Sequence, residues 1–276
     1  MSTPLRVGAV MYDPKVSVIW EIIGDFFESR SCPIDVTFYS TYELQVTALV
    51  EGAIDIAWNS PLAWLDAQRR TGGACRAIAM RDTDRDRVTH IVGPKDGPIR
   101  ALTDVRGRAL AVGALDSPQA TLIPLQLLRE HGIDPRRDVE VRRFDLLVGK
   151  HGDHVGGELE AFRSLERREV AACAMLDLNW EAWTRDGTID PGRFDVKAST
   201  GRFDHCVFTS RAGLAVAAEA VWLGALFSMK YDEPAHRQMM DLEGLKAWMP
   251  GRITGFGALG AAVEAEGFFE REPPAS

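Results

Sequence analysis

Apolar and polar residues follow one another along the first part of the chain in the pattern of short strands that alternate with helices. The sequence predicts strands at residues 5–10, 34–39 and 54–58 and helices at residues 15–29, 42–51 and 62–70. Six apolar residues of the first helix recur at spacings of three and four, which places them on one face. They are Val16, Ile19, Trp20, Ile23, Phe26 and Phe27. Such an alternation predicts a parallel, doubly wound sheet.

The alternation is interrupted after residue 88 and then begins again. Strands are predicted at residues 76–80, 88–92, 109–113, 139–144, 170–176 and 206–209, and helices after Pro118 and at residues 157–167, 179–185, 214–229 and 234–248. We therefore expect lobe one to comprise residues 1–88 and 207–276, and lobe two residues 89–206. Two chain crossings, near His90 and near His205, would form a hinge, with the ligand cleft between the lobes.

Composition narrows the class of partner. The chain is 46% hydrophobic and 26% charged, as in ordinary globular proteins, and its net charge of −8 argues against a nucleic acid partner. Apolar stretches are interrupted by charge before about 18 residues, so no membrane span is expected. Residues 1–6 lack a signal pattern, which predicts a cytoplasmic protein as written, or a periplasmic one if a leader was removed.

Motifs exclude several chemistries. The four cysteines, Cys32, Cys75, Cys173 and Cys206, are far apart and form no CxxC pair, which argues against a disulfide framework or a structural zinc site. The sequence contains no GxGxxG, P-loop or GxSxG motif, so dinucleotide, ATP and serine-hydrolase functions have no support from it.

Polar residues follow several predicted strands. Asn59 and Ser60 precede a helix that begins at Pro61, where they either contact a ligand or cap that helix. Tyr12 follows the first strand, where a ligand contact and a simple turn fit the sequence equally well. Ser117 is expected at a helix N-cap with Pro118 at the first helical position, so that free backbone N–H groups would face the cleft.

Four stretches of the chain together resemble the phosphate/phosphonate-type substrate-binding proteins of ABC transporters, a branch of the type II periplasmic-binding superfamily. They are residues 42–64, 102–113, 117–135 and 154–174. The resemblance implies an α/β fold with the shape of a two-lobed clamshell, in which each lobe is a doubly wound, mostly parallel sheet with flanking helices.

The family's helix start carries a cradle of Ser and Thr for the anion, and a histidine that matches His154 contacts the ligand. Here the cradle contains Asp116, Ser117, Pro118 and Gln119, so the resemblance implies a small polar or anionic ligand without fixing phosphonate. The predicted ligand contacts are Tyr12, Asn59, Ser60, His90, Ser117, Gln119, His154, Asp177 and His205.

Three histidines, His90, His154 and His205, are assigned to the hinge crossings and to a cleft loop. Imidazoles with a nearby carboxylate or thiolate can bind Zn or Fe, and the sequence places Asp177, Glu158 and Cys206 within reach of these histidines. A hinge histidine is nevertheless more often a hydrogen-bonded structural residue. A transition metal at these histidines is therefore a hypothesis, and no cofactor is certain.

Two functions remain open. In the first, the protein is a receptor that binds a small molecule without chemistry and has an ABC permease as its partner. The alternative is a cytosolic enzyme on the same fold, with lyase-like or metal-dependent oxidative chemistry that uses His154 or His205. The sequence does not decide between them.

Overall fold

A computed structural model describes residues 3–151 and 157–270 of the chain. Its contacts divide the chain into two α/β units, the first from Met1–Arg85 and Asp204–Gly255 and the second from Asp86–Phe203 and Phe256–Ser276. The chain thus passes between units three times. The first two passages, at residues 85/86 and 203/204, lie beside the predicted crossings at 88/89 and 206/207.

The helices and strands in chain order begin with β1 (Leu5–Val10), α1 (Lys15–Ser29), β2 (Ile34–Tyr39), α2 (Tyr42–Val50), β3 (Ile56–Asn59), α3 (Pro61–Arg70) and β4 (Arg76–Arg81). The second unit follows with β5 (Thr89–Pro94), β6 (Ala109–Val112), α4 (Ile123–Glu130), β7 (Glu140–Arg143), α5 (Glu158–Glu166), β8 (Ala172–Leu176), α6 (Asp177–Arg185) and β9 (Phe194–Ser199). The chain then forms β10 (Val207–Ser210), α7 (Val216–Phe227), α8 (Pro234–Glu243) and β11 (Trp248–Pro250) in the first unit, and α9 (Gly257–Glu266) in the second.

The sheet of the first unit has the strand order β11-β4-β10-β3-β1-β2. β1 pairs in parallel with both β2 and β3, and β10 pairs antiparallel with β3 and β4. β1 is therefore flanked by the two strands that follow it in the sequence. The strand order reverses at β1, with β2 added on one side and β3 on the other, and open α/β sheets form a ligand crevice at such a position.

The core of the first unit confirms the predicted helix face. All six residues of the apolar stripe of α1 are buried. Phe208 of β10 lies at the centre of an aromatic cluster, with ring centroids 4.6 Å from Trp58, 4.9 Å from Trp222 and 6.1 Å from Trp20. This packing holds α1 and α7 against the sheet, so the strand ends of this unit rest on a closely packed base.

The sheet of the second unit has the order β7-β6-β8-β5-β9. β6 pairs in parallel with β7 and β8, whereas β5 is antiparallel to β8 and β9. β6 is thus flanked by the two parallel strands that follow it, as β1 is in the first unit. Each unit has a crevice position of the same kind, at the carboxyl end of β1 and of β6.

Three sequence-based expectations are corrected. The helix predicted to reach Trp248 ends at Glu243, because Gly244 adopts a left-handed conformation (φ 68°) and the chain continues into β11. The edge strand β9 was not predicted. The C-terminal segment, expected in lobe one, belongs to the second unit: α9 packs against α4, and Arg129 and Arg136 both form ion pairs with Glu266.

Candidate functional site

The carboxyl edge of the first sheet collects polar residues from three adjacent strands. Tyr12 follows β1, Thr41 follows β2, and Asn59 and Ser60 lie at the end of β3. Because β1, β2 and β3 are parallel, these positions share one edge of the sheet. The structure therefore brings Tyr12, Asn59 and Ser60 to the same edge, as expected.

Two helices begin at this edge with hydroxyl caps. The Ser60 hydroxyl oxygen accepts a hydrogen bond from the Ala63 amide (3.1 Å) at the start of α3, and the Thr41 hydroxyl oxygen accepts one from the Leu44 amide (3.4 Å) at the start of α2. The N-terminus of a helix carries a partial positive charge that favours anions. Sequence reasoning missed Thr41, although a Ser or Thr directly before a helix is an N-cap signal.

Asn59 is fully buried, and its side chain has a defined orientation. Gln45 Nε2 donates to Asn59 Oδ1 (2.8 Å) and to the Trp58 carbonyl (2.8 Å). Among the residues that the structure describes, Asn59 Nδ2 has no hydrogen-bond partner. A buried donor without an acceptor is unfavourable, so a ligand oxygen at this strand end would be stabilising.

In the second unit the loop after β6 leads into a helix. The Ser117 hydroxyl oxygen accepts a hydrogen bond from the Ala120 amide (3.1 Å), Pro118 occupies the first helical position, and the turn Pro118–Leu122 continues into α4. The predicted cap is therefore confirmed. Gln119 is buried, and its carbonyl accepts a hydrogen bond from the Thr89 hydroxyl (2.7 Å), which joins this turn to the start of β5.

Asp116, which the sequence placed in the cradle at this helix start, lies immediately before the turn. In the structure its Oδ2 accepts hydrogen bonds from the Gly149 amide (2.6 Å) and the His151 amide (3.3 Å), so the side chain anchors the loop after β7. Burial raises the pKa of Asp116, although the charge of His151 acts in the opposite direction. His154, the expected ligand contact on this loop, lies outside the described residues.

His90 and Asp177 lie at the same edge of the second sheet. His90 Nδ1 is 2.8 Å from the Ser199 hydroxyl, and burial lowers the pKa of His90 against the opposing charges of Asp177 and Glu181. Burial raises the pKa of Asp177, which the guanidinium of Arg87 partly offsets from 3.4 Å. These groups form a polar cluster at the end of β8, the strand beside β6, and the Ser117 turn follows β6 at the same edge of the sheet.

His205 lies in the first unit, in a buried cluster with Asp84 and Cys206. His205 Nδ1 is 3.1 Å from Cys206 Sγ and 3.5 Å from Asp84 Oδ1. In a nucleophilic triad, thiol and carboxylate would approach opposite ring nitrogens, whereas here both approach Nδ1. The cluster therefore does not have the geometry of a Cys-His-Asp catalytic triad.

The same cluster could offer a metal one atom each from Asp84, His205 and Cys206, all within 4.8 Å of one another. However, Arg81 already holds both oxygens of Asp84, through Nε (2.6 Å) and Nη2 (2.8 Å). Burial opposes ionisation of Asp84, but Arg81 outweighs it and keeps the pKa of Asp84 well below its usual range. A carboxylate so occupied is a poor ligand for a second cation.

Glu158, which the sequence placed within reach of the histidines, is fully buried at the start of α5. Its Oε2 accepts hydrogen bonds from the Leu176 amide (2.9 Å) and from Asn179 Nδ2 (2.7 Å). These contacts join α5 to the end of β8 and the start of α6. Glu158 therefore supports the strand end that carries Asp177.

Comparison with solved structures identifies the class of fold. The structure of PhnD1 from Prochlorococcus marinus (MIT 9301) in complex with methylphosphonate is 14% identical and covers 95% of this chain and 98% of that chain, with a TM-score of 0.71. XAC2383 from Xanthomonas citri, bound to ATP, is 17% identical, with coverages of 96% and 98% and a TM-score of 0.74. The Escherichia coli aliphatic sulphonate binding protein SsuA is 14% identical, with coverages of 98% and 92% and a TM-score of 0.62. The predicted type II periplasmic-binding fold is confirmed.

The family follows from a match over residues 12–254, most of the chain. The chain belongs to the family described as "ABC transporter, phosphonate, periplasmic substrate-binding protein". An uncharacterized Haemophilus influenzae protein is 59% identical over 27 residues, which are 10% of this chain and 38% of that protein's length. Within residues 3–151 and 157–270, none of the helices has the length and apolar character needed to cross a membrane.

Proposed function

We propose that this chain binds a small oxyanion as the substrate-binding component of an ABC transporter and leaves the ligand chemically unchanged. The observation that carries the proposal is the Ser117 turn. It begins a helix at the carboxyl end of β6, where the strand order of the sheet reverses because β7 lies on one side of β6 and β8 on the other. Capped helix starts at such positions are anion sites.

The first unit supports the same function. Thr41 and Ser60 cap two helices at the carboxyl edge of its sheet, and Asn59 contributes a buried donor there. Donors of this kind suit oxygen atoms of a phosphonate, phosphate or sulfonate group. The expectation that both lobes share a single ligand stays a prediction.

Family membership supports a permease as the partner. The family is described as periplasmic, which favours the periplasmic location of the two that the sequence left open. The family description and the similar structures give the alternative of an enzyme no support.

No metal is part of this proposal. The hypothesis of Zn or Fe at His90, His154 and His205 stays a prediction: His205 belongs to the first unit, His90 to the second, and His154 lies outside the described residues. Metal analysis of the purified protein beside the His205→Ala variant tests it.

Isothermal titration calorimetry of the full chain with methylphosphonate, methanesulfonate and inorganic phosphate tests the binding function. We expect saturable binding of at least one probe and unchanged ligand by NMR after incubation. Ser117→Ala should weaken binding about ten-fold because the turn loses its cap. The matched control is Ser164→Ala, which alters a buried serine of α5 and should leave the affinity unchanged. Absence of binding to all three probes, or conversion of a bound probe, would overturn the proposal.

A further inference from the structure

The carboxylate of Asp116 is buried, with 4% of the residue exposed, and its two oxygens have different surroundings. Oδ2 accepts the amides of Gly149 and His151. Among the residues that the structure describes, Oδ1 has no hydrogen-bond partner. A buried acceptor without a donor is unfavourable, so a group that donates a hydrogen bond to Oδ1 would be stabilising.

The position of Asp116 indicates where that proton comes from. The residue directly precedes the Ser117 cap at the carboxyl end of β6, where the proposed function places the anionic group. Two negatively charged groups in one buried site repel each other unless they share a proton. We propose that Asp116 Oδ1 accepts a hydrogen bond from a protonated oxygen of the bound oxyanion, so that the site selects oxyanions that carry a proton and discriminates against sulfonates.

This inference rests on the proposed function and names a specificity-determining residue for it. A phosphonate or phosphate group keeps its second proton up to near-neutral pH, whereas a sulfonate has no proton to donate. A phosphonate monoanion therefore brings the shared proton with it. A sulfonate binds only when Asp116 itself takes up a proton from water.

The electrostatic surroundings of Asp116 are compatible with a shared proton. Burial raises the pKa of Asp116, and the charge of His151 opposes that shift. Besides His151, the described part of the loop after β7 carries two ionisable residues, Asp145, whose Oδ1 accepts the Leu115 amide (2.7 Å), and Lys150. The proton on the ligand is thus placed beside a carboxylate whose pKa burial has already raised.

Calorimetry at pH 5 to 9, in buffers of different ionisation enthalpy, measures the protons taken up on binding of methylphosphonate and of methanesulfonate. For the wild type we expect tighter binding of methylphosphonate by about ten-fold or more, because a site built for a hydrogen bond rejects an analogue that lacks it. Methanesulfonate should bind with uptake of about one proton, and its affinity should fall as pH rises through the pKa of Asp116.

Asp116→Asn is the decisive variant. Asparagine keeps an oxygen for the amides of Gly149 and His151 but places an N–H group where Oδ1 stood. We expect methanesulfonate binding to become independent of pH without proton uptake, and the preference for methylphosphonate to fall about ten-fold. The control Asp145→Asn removes a charge from the neighbouring loop and should keep the wild-type preference and proton uptake.

The outcomes separate this inference from the proposed function. Failure of the wild type to bind any probe overturns both. Binding of both probes without proton uptake, and with the same preference in Asp116→Asn, overturns the role of Asp116 and leaves the binding function standing. Taurine, a sulfonate with an ammonium group, is the third probe. If taurine binding depends on Asp116 but takes up no proton, Oδ1 accepts a hydrogen bond from the ammonium group of the ligand. This result would overturn the proposal that Oδ1 accepts one from a protonated ligand oxygen.

Discussion

The buried carboxylate of Asp55 is held by two arginines that are distant in the sequence. Asp55, at the start of β3, accepts hydrogen bonds from Arg6 Nε (3.1 Å) and from Arg211 Nε (2.9 Å). Burial alone would raise the pKa of Asp55, but the two arginines together lower it to about 2. Partners 49 and 156 residues away cannot be read from the sequence, which explains why Asp55 was not singled out.

Asp55→Asn should destabilise the fold at neutral pH by about 1–2 kcal/mol, a value discounted because Arg6 is partly exposed. The folded-state pKa is below the unfolded one, so this contribution is present above about pH 4 and is lost as pH falls towards 2. Urea unfolding at pH 7 and pH 3 measures the difference. The control Asp35→Asn alters an exposed residue and should change little. A destabilisation by Asp55→Asn that is equally large at both pH values would contradict the ion-pair explanation.

At the scale of elements, periodicity predicted helices better than their ends. The apolar spacing placed α1 at the residues where the structure has it, because one buried stripe determines that helix. The same kind of spacing extended α8 too far, since Leu245 and Trp248 are buried for a different reason: the chain there forms β11 beside β4. Strand pairing with a distant partner leaves no local period, so β9 and β11 were not predicted.

The C-terminal end of α5 carries a backbone conformation that its sequence does not favour. Arg168 adopts φ 62° where the chain leaves the helix, and the Arg168 and Glu169 amides donate to the Leu165 and Ser164 carbonyls. Glycine is the residue usually found at this position, because it has no Cβ to clash in the left-handed region.

Arg168→Gly should therefore stabilise the protein by about 0.5–1 kcal/mol. The matched control is Arg167→Gly, one residue earlier, where the backbone is right-handed (φ −75°) and glycine should destabilise by a similar amount. Chemical denaturation of the two variants beside the wild type checks the opposite signs. Destabilisation by both variants would show that the Arg168 side chain contributes more than its backbone costs.

At the scale of the whole molecule, the sequence predicted which residues lie at the strand ends better than it predicted which groups contact them. Ser117, Ser60 and Asn59 were recognised because each stands between a buried strand and a helix start. The roles of Asp116 and of Glu158 were missed, because they depend on amides and side chains brought close only by folding. The third passage of the chain, at Gly255/Phe256, was missed for the same reason: the apolar residues of α9 do not reveal that α4 covers them.

The overall charge gives a final prediction about the rate of ligand capture. The chain carries a net charge of −8, so an anionic ligand is repelled at long range and attracted only locally by helix starts and buried donors. Salt screens the long-range repulsion, with a Debye length that falls from about 30 Å at 0.01 M to about 8 Å at 0.15 M. Raising the ionic strength over this range should therefore speed association of methylphosphonate, by roughly two-fold.

Stopped-flow tryptophan fluorescence at constant pH and viscosity measures this rate, with the dissociation rate determined in the same experiment as an internal control. The dissociation rate should change less, because the contacts that hold the ligand are short-ranged and buried. Faster association at low salt would instead mean that local positive potential at the capped helix starts dominates the approach. The negative surface would then have no influence on capture, contrary to the expectation from the net charge.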